Sequence, residues 1–315
     1  MKPMTDINRI RAMMTDEERF LVSNARDISS RAADGVFAAT GFLSPRERTI
    51  LMSFGIGLEP APVITDDASD AKIGFPLARL AARDEIGFFW GGYPEAERTL
   101  YCALPAYALY SLDAVRNGDD TAVVTLSELA ALAKDELSEL IVPLFVKTSG
   151  YVSLTHRDFM GALLGLGIER SVLGDIVLTD NGAIVFAHRK IADFIRADLS
   201  EVGRDHVKVS ALDYNDVLVP PRAFETLTGT VASARLDAVV SEIANCSRET
   251  AKEMIRRGLV EQDHFPASDT DSPVSAGDVI SIRHDGRVKG GKFIIDSCSE
   301  LTQKGRVRLS VRKYM

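Results

Sequence analysis

Little in this 315-residue chain invites covalent, redox or membrane chemistry. It holds three cysteines, Cys102, Cys246 and Cys298, widely spaced and none in a Cys-x-x-Cys pair. Neither a disulfide framework nor a thiolate zinc site is suggested, and all three read as small buried apolar groups. The five histidines, at 156, 188, 206, 264 and 284, have no metal-binding spacing such as His-Glu-x-x-His. Long apolar runs are missing too. Runs such as Leu140 to Val146 fall well short of the ~20 residues that span a bilayer. The polar start Met1-Lys2-Pro3-Met4-Thr5-Asp6 lacks a secretory apolar region, so the cytoplasm is the expected address.

Signatures of catalysis are equally scarce. Gly165-Leu166-Gly167 and Gly55-Ile56-Gly57 each contain Gly-x-Gly, but both follow helical stretches instead of opening a helix after a strand. The dinucleotide fingerprint therefore fails, and neither a Walker lysine loop nor a Gly-x-Ser-x-Gly serine is found. The carboxylate pairs Asp66-Asp67 and Asp119-Asp120 lie in polar loops, where solvation accounts for them. No catalytic residue, cofactor or metal is expected.

An overall excess of positive charge is also absent. The net charge is -8, so any nucleic-acid surface must be local. Residues 235 to 315 carry 14 Lys+Arg against 12 Asp+Glu, or +2, which leaves 23 against 33, or -10, for residues 1 to 234. Positive charge gathers in the last quarter of the chain.

What is present is an ordinary globular composition, 46% hydrophobic and 26% charged, long enough for two or three domains. In residues 1 to 135, Thr15-Asp16-Glu17-Glu18 and Ser44-Pro45-Arg46-Glu47 match capping boxes and predict helix starts, with Asp34-Gly35 closing the first helix. Strands are expected at Ile86 to Trp90 and Thr99 to Leu104, and a helix over Ser127 to Leu140. Between the strands, Tyr93, Glu97 and Arg98 make either a polar binding corner or an ordinary surface turn, and the turn is favoured.

Residues 139 to 213 follow the order βαββαβ. Strands are expected at Ile141 to Val146, Gly174 to Leu178, Ala183 to Ala187 and His206 to Val209. Helices fall at Thr155 to Leu166 and Lys190 to Leu199, and a hairpin turn at Asp180-Asn181-Gly182. This is the ferredoxin-like arrangement of many single-strand RNA readers, although the aromatic strand motifs of an RNA-recognition motif are missing. Phe145 and Phe186 are better read as core. Asp213 to Thr230, with Pro220-Pro221, reads as a linker.

The last segment carries the sharpest signal. Ser247 caps a helix, Glu249 suits its first turn, and Gly258 takes the left-handed position past its end. Arg248, Lys252 and Arg256, at i, i+4 and i+8, share one face, opposite Ala251, Met254 and Ile255. Phosphate oxygens are the natural partner of such a stripe; a solvated helix face is the plainer account of three cations alone. Near the chain's end, Arg306, Arg308 and Arg312 share one strand face, either extending a phosphate-binding surface or guarding a sheet edge.

The stripe sits in a longer pattern. Arg235-Leu236-Asp237, the Ser247-Arg248-led helix ending in Gly258, and Gly277-Asp278-Val279-Ile280 resemble the RNA-binding domain first seen in small-subunit ribosomal protein four, here the S-four domain. Further upstream stand Phe42-Leu43-Ser44-Pro45-Arg46-Glu47, Gly91-Gly92-Tyr93, Ala96-Glu97-Arg98, Leu154 to Leu163, Gly165-Leu166-Gly167-Ile168, Gly174-Asp175-Ile176, Ile191 to Ile195 and Gly203-Arg204. With these, most of the chain resembles the bacterial YlmH-type proteins.

The resemblance implies an α+β, multidomain, non-catalytic RNA-binding protein: an N-terminal α/β domain (1–135), a ferredoxin-like middle domain (139–213), a linker (214–230) and an S-four-type domain (231–315). It implies rRNA and tRNA as partners, on large ribosomal subunits that still hold peptidyl-tRNA, in rescue of stalled translation, by a protein that is monomeric when free. Carried onto this sequence, the RNA contacts are Arg235, Arg248, Lys252, Arg256 and Arg257, followed by Arg283, Arg287 and Lys289. Between Gly258 and Pro273 the chain departs from the family, with Glu261-Gln262-Asp263-His264 and Asp269-Thr270-Asp271, and like charge puts phosphate contact by that hairpin in doubt. Two other readings stand beside this one. An RNA-modifying enzyme would use the S-four domain as a targeting arm, with His156 and Asp158 as its first candidates. A membrane-complex or cell-division scaffold would retain only an RNA-like surface.

Overall fold

Two consecutive prolines mark where the chain parts into two units, one ending at Pro220 and the next beginning at Pro221. The computed structural model describes residues 7–63, 72–119, 121–286 and 288–314, so Met1 to Asp6, Asp66-Asp67, Asp120 and Arg287 lie outside the described residues. The protein is mixed α and β, with several antiparallel sheets.

In the first unit, helix α1 (Asp16–Ala33) begins at the expected capping box, with the Thr15 side chain taking the Glu18 N–H and Glu18 taking that of Thr15. The same Glu18 carboxylate receives Arg46 Nε at 2.6 Å, tying α1 to the helix Pro45–Ser53, which has its own capping box. Strands β1 (Glu85–Trp90) and β2 (Leu100–Pro105) pair antiparallel with Phe88 opposite Cys102. The helix expected over Ser127 to Leu140 is two short helices, Leu126–Leu132 and Lys134–Ser138, meeting at Ala133, which leaves helical backbone angles. A Thr125-Glu128 capping box sets the first of them.

The middle of the chain supplies β3 (Ile141–Lys147), α2 (His156–Gly165), β4 (Leu173–Thr179), β5 (Gly182–His188), α3 (Arg189–Asp198) and β6 (Lys208–Ala211). The strands form one antiparallel sheet in the order β6-β3-β5-β4. The single strand expected at His206 to Val209 is split, because Asp205–His206 turns back onto Glu201–Val202 in a hairpin and only Lys208 onward joins the sheet. One sheet face packs Val142, Leu144, Val146 and Val185 against Phe159 and Leu163 of α2 and Ile195 of α3.

The other face is buried as well. Ile141, Ile184 and Phe186 share a core with Phe42, Phe88, Trp90, Tyr93 and Leu100 of the N-terminal portion. Tyr93 and Phe186 lie 5.2 Å apart between ring centroids. A side chain at Gly92 (φ +103°) would collide with the Phe186 ring, so the close approach needs glycine twice over. Residues 1–135 and 139–213 therefore do not separate into two units, as the sequence pattern suggests. They share one core across this sheet.

The second unit is a six-stranded antiparallel sheet with two helices. Its elements are β7 (Phe224–Val231), α4 (Leu236–Ile243), α5 (Arg248–Arg256), β8 (Val260–Gln262), β9 (Phe265–Pro266), β10 (Val279–Ile282), β11 (Gly291–Ser297) and β12 (Val307–Tyr314), with strand order β7-β12-β11-β10-β8-β9. Residues 224–231, expected within a linker, are instead the strand that pairs β12 over its whole length. Pro220-Pro221 ends the preceding segment, and alternation across Leu227, Gly229 and Val231 then places β7 on the core. At Gly229 an added Cβ would sit 2.3 Å from Glu242 Oε1 of α4, so a larger residue there would displace that exposed side chain. The core joins Leu236, Val239, Val240, Ala251, Met254 and Ile255 of the helices to Ile280, Phe293, Ile295, Leu309 and Val311 of the sheet.

Candidate nucleic-acid interface

Helix α5 forms as its sequence dictates. Ser247 Oγ accepts the Thr250 N–H at 3.1 Å, Ala251, Met254 and Ile255 are buried, and Gly258 takes φ +69° beyond the Arg257 cap. Arg248, Lys252 and Arg256 fall on the side away from that core. Arg248 keeps 45% and Arg256 62% of its side chain exposed, while Lys252 is half-buried.

The cations do not stand free of counter-charge. Asp237, whose side chain is 0% exposed, sits in the first turn of α4 and receives Arg248 Nε at 2.9 Å and Nη2 at 3.1 Å. Arg235 reaches the same carboxylate with Nε and Nη2 at 3.3 Å, and also bonds Asp271. Burial alone would raise the Asp237 carboxyl, but hydrogen bonds from Arg248 and Arg235 outweigh it and hold the group below its ordinary value. Two guanidiniums thus converge on one buried anion, and among the described residues their Nη1 donors have no hydrogen-bond partner.

Three of the other expected contacts are paired at the surface. Arg256 lies 3.8 Å from Glu249, Arg257 is 2.7 Å from Asp285, and Arg283 is 2.9 Å from Glu261 in the acidic hairpin. Among the described residues Lys252 and Lys289 make no ion pair, and Arg287 lies outside them. Arg235 and Arg248 are brought together on Asp237 at the start of α5, and Lys252 and Arg256 follow along the helix toward its other end. Arg257 and Arg283 are turned toward the carboxylates of neighbouring strands and turns.

The corner at Tyr93, Glu97 and Arg98 has a structural task. The Tyr93 hydroxyl donates to Asp175 Oδ2 at 2.6 Å, and the Glu97 and Arg98 backbone N–H groups donate to the same carboxylate at 2.8 and 3.0 Å. Arg98, 9% exposed, donates to the Leu173 and Arg170 carbonyls at 2.8 Å each. These bonds latch β4 to the turn after β1 and close the sheet face. Asp158 caps α2, accepting both the backbone and hydroxyl donors of Thr155 at 2.7 Å. Burial, then the Arg170 guanidinium, lower the His156 imidazole below its ordinary value. Among the described residues no His, Cys, Asp and Glu cluster is arranged to hold a metal, and no helix is long and apolar enough to cross a membrane. Cys102 and Cys298 are buried as expected, whereas Cys246 is half-buried.

Comparison with known proteins places this chain. A family model described as "Putative RNA-binding domain in YlmH" matches residues 144–216. "Ribosome-associated protein quality control protein P2" of Bacillus subtilis (strain 168) is 30% identical over 222 residues, covering 70% of this chain and 77% of that protein. The chain belongs to the YlmH family. A solved structure, "Cell division protein ylmH from Streptococcus pneumoniae", is 15% identical, with the match covering 64% of this chain and 95% of that one at a TM-score of 0.38.

The segment matched by the YlmH model runs from within β3 to the turn at Tyr214–Asp216, so every contact residue expected from the sequence lies outside it. That segment has cations of its own. Lys147 and Lys208 face each other in register across β3 and β6, both exposed, an unfavourable pairing of like charges unless an anion joins them. Sequence reasoning missed this pair because only the register brings residues 61 positions apart together.

Proposed function

We propose that this chain is a non-catalytic RNA-binding protein of the ribosome. The S-four-type second unit holds rRNA or tRNA, and the protein works in quality control on large subunits that retain peptidyl-tRNA. The observation that carries this reading is the pair Arg235 and Arg248, fixed by the buried Asp237 carboxylate at the start of a helix whose outer face continues with Lys252 and Arg256. An arginine already held in place loses less rotamer entropy on meeting phosphate, and its unspent N–H donors form charge-assisted bonds to phosphate oxygens. The name of the Bacillus subtilis relative supports the ribosome as the setting.

The ferredoxin-like part of the first unit is the second RNA contact, supported by the family match over residues 144–216 and the strand order β6-β3-β5-β4. With both sheet faces covered, its contacts come from helix surfaces and strand ends, Lys147 and Lys208 first among them. The capping duty of Asp158 supports the non-catalytic reading over an RNA-modifying one.

Sedimentation of lysate tests the proposal. The wild-type protein is expected to travel with large subunits at low salt and to release as salt rises, because neutralised phosphates give up condensed counterions. Arg248→Glu combined with Arg256→Glu is expected to leave the protein at the top of the gradient. Wild type that stays there too, at every salt concentration, overturns the reading.

A further inference from the structure

The sheet of the second unit has two unlike faces. Leu309 and Val311 of β12 and Phe293 and Ile295 of β11 turn inward to the helices. Alternation along the strands sends Arg308, Arg312 and Tyr314 of β12, Lys292 and Asp296 of β11, and Phe224, Thr226 and Thr228 of β7 to the opposite face. Arg306, Arg308, Thr226 and Thr228 are exposed there.

Among the described residues, neither Arg306 nor Arg308 of this face has a carboxylate partner. Arg306 donates to the Thr230 carbonyl at 2.6 Å and its hydroxyl at 3.0 Å. Arg308 has no ion pair or side-chain hydrogen bond among the described residues. Phe224 and Tyr314 meet edge-on at 5.0 Å, with Arg312 5.1 Å from the first ring centroid and Lys292 4.7 Å from the second. Aromatic rings attract a cation without cancelling its charge. Asp296, 2.8 Å from Arg312, is a carboxylate on the same strip. Arg235, Arg256, Arg257 and Arg283, by contrast, are each matched to a surface carboxylate.

We infer that this outer sheet face is a second RNA-binding surface of the unit, one that grips the sugar-phosphate backbone without reading sequence. The inference rests on the reading that the protein's ligand is RNA. At about 3.3 Å per strand residue, Arg306, Arg308 and Arg312 extend over roughly 20 Å, a length several successive phosphates occupy. Base stacking is not the means, because cations already lie against the two rings. The apolar side chains in register on this face, Ile294 opposite Arg312 and Val279 opposite Ile294, are half-buried, so an acidic protein partner finds less of the apolar centre that stable protein interfaces dehydrate. Helices α4 and α5 occupy the inner face, so this strip and the α5 ridge lie on opposite sides of the sheet and bind RNA independently.

The experiment measures binding of the full-length protein to a fluorescein-labelled RNA hairpin across a salt series, with labelled poly-glutamate as a second probe. Arg308→Glu is expected to weaken hairpin binding about tenfold at low salt and to flatten the slope of log affinity against log salt by about one phosphate contact. Asp296→Asn, which releases Arg312, is expected to tighten binding about threefold, a gain that no loss of folding produces. Lys252→Glu/Arg256→Glu weakens binding on its own, and adding Arg308→Glu multiplies the two losses. If Arg308→Glu and Asp296→Asn both leave affinity and slope unchanged while the helix variant weakens binding, this inference falls and the proposed function stands. If wild type does not bind the hairpin at all, both fall. Poly-glutamate capture that is lost in Arg308→Glu while hairpin binding is unmoved overturns the inference in favour of an acidic protein. Melting curves accompany each variant, and should Arg308→Glu not fold, Asp296→Asn alone decides.

Discussion

The two large sheets of this protein begin alike and end differently. Each is antiparallel, and each packs one face on two helices. The four-stranded sheet then covers its second face with Tyr93, Trp90 and Phe42, latched by Asp175. The six-stranded sheet gives its second face to Arg306, Arg308, Arg312 and threonines. Strand order alone therefore does not say whether a sheet meets RNA. Here the topology associated with single-strand RNA reading is the one whose second face is closed.

Asp175 carries the largest expected effect on that contrast. Asp175→Ala leaves the Tyr93 hydroxyl and two backbone N–H groups without their acceptor and is expected to cost about 3 kcal/mol, since each stranded buried donor costs about 1–3 kcal/mol. Urea unfolding followed by fluorescence of Trp90, the single tryptophan, measures it. RNA affinity that rises as the latch loosens would contradict a sheet face that serves only as core.

Asp237→Ala comes next, at about 2–3 kcal/mol, because the carboxylate is fully buried while its arginine partners keep a third or more of their side chains exposed. The same change should weaken RNA binding, whereas Asp175→Ala should not. A pH series separates the carboxyl's own share. Asp237 is held below the ordinary 3.8, so its contribution is fully present above about pH 4 and is lost as pH falls further, through the lowered value. Asp237→Asn is expected to flatten that acid limb of the stability curve, and an unchanged limb would remove the ion pairs from the account.

The smallest expected effect is that of Ser247→Ala, which removes the cap of α5 and should lower stability by about 1 kcal/mol in a thermal melt. A loss of that size with RNA affinity nearly intact shows that the α5 cations bind through position and charge. A collapse of RNA affinity would mean that helix order limits binding more than the sheet strip can offset.

Much of the fold was legible because it is local. The capping boxes at Thr15 and Ser44, the turn at Asp180-Asn181-Gly182 and the Ser247 to Gly258 helix each depend on residues within one or two turns of each other. The run Leu140 to Val146 held a further message that the periodicity reading passed over. A strand apolar at every position is covered on both sides. Cys246, half-buried where burial was expected, and the strand at 224–231, read as linker beside two prolines, were misjudged because composition near a turn says little about the partner strand.

By itself the sequence determined where helices start and stop, which residues alternate along each strand, and that positive charge concentrates in the last quarter of the chain, since each of these is written in neighbouring residues. Tertiary structure alone decided that Arg235 and Arg248 share one buried aspartate, that Lys147 opposes Lys208, and that one sheet is sealed while the other displays its arginines. Those outcomes depend on register and on which surfaces meet, and both are settled between residues far apart in the chain, where the energy of burying an ion or a ring outweighs any local preference.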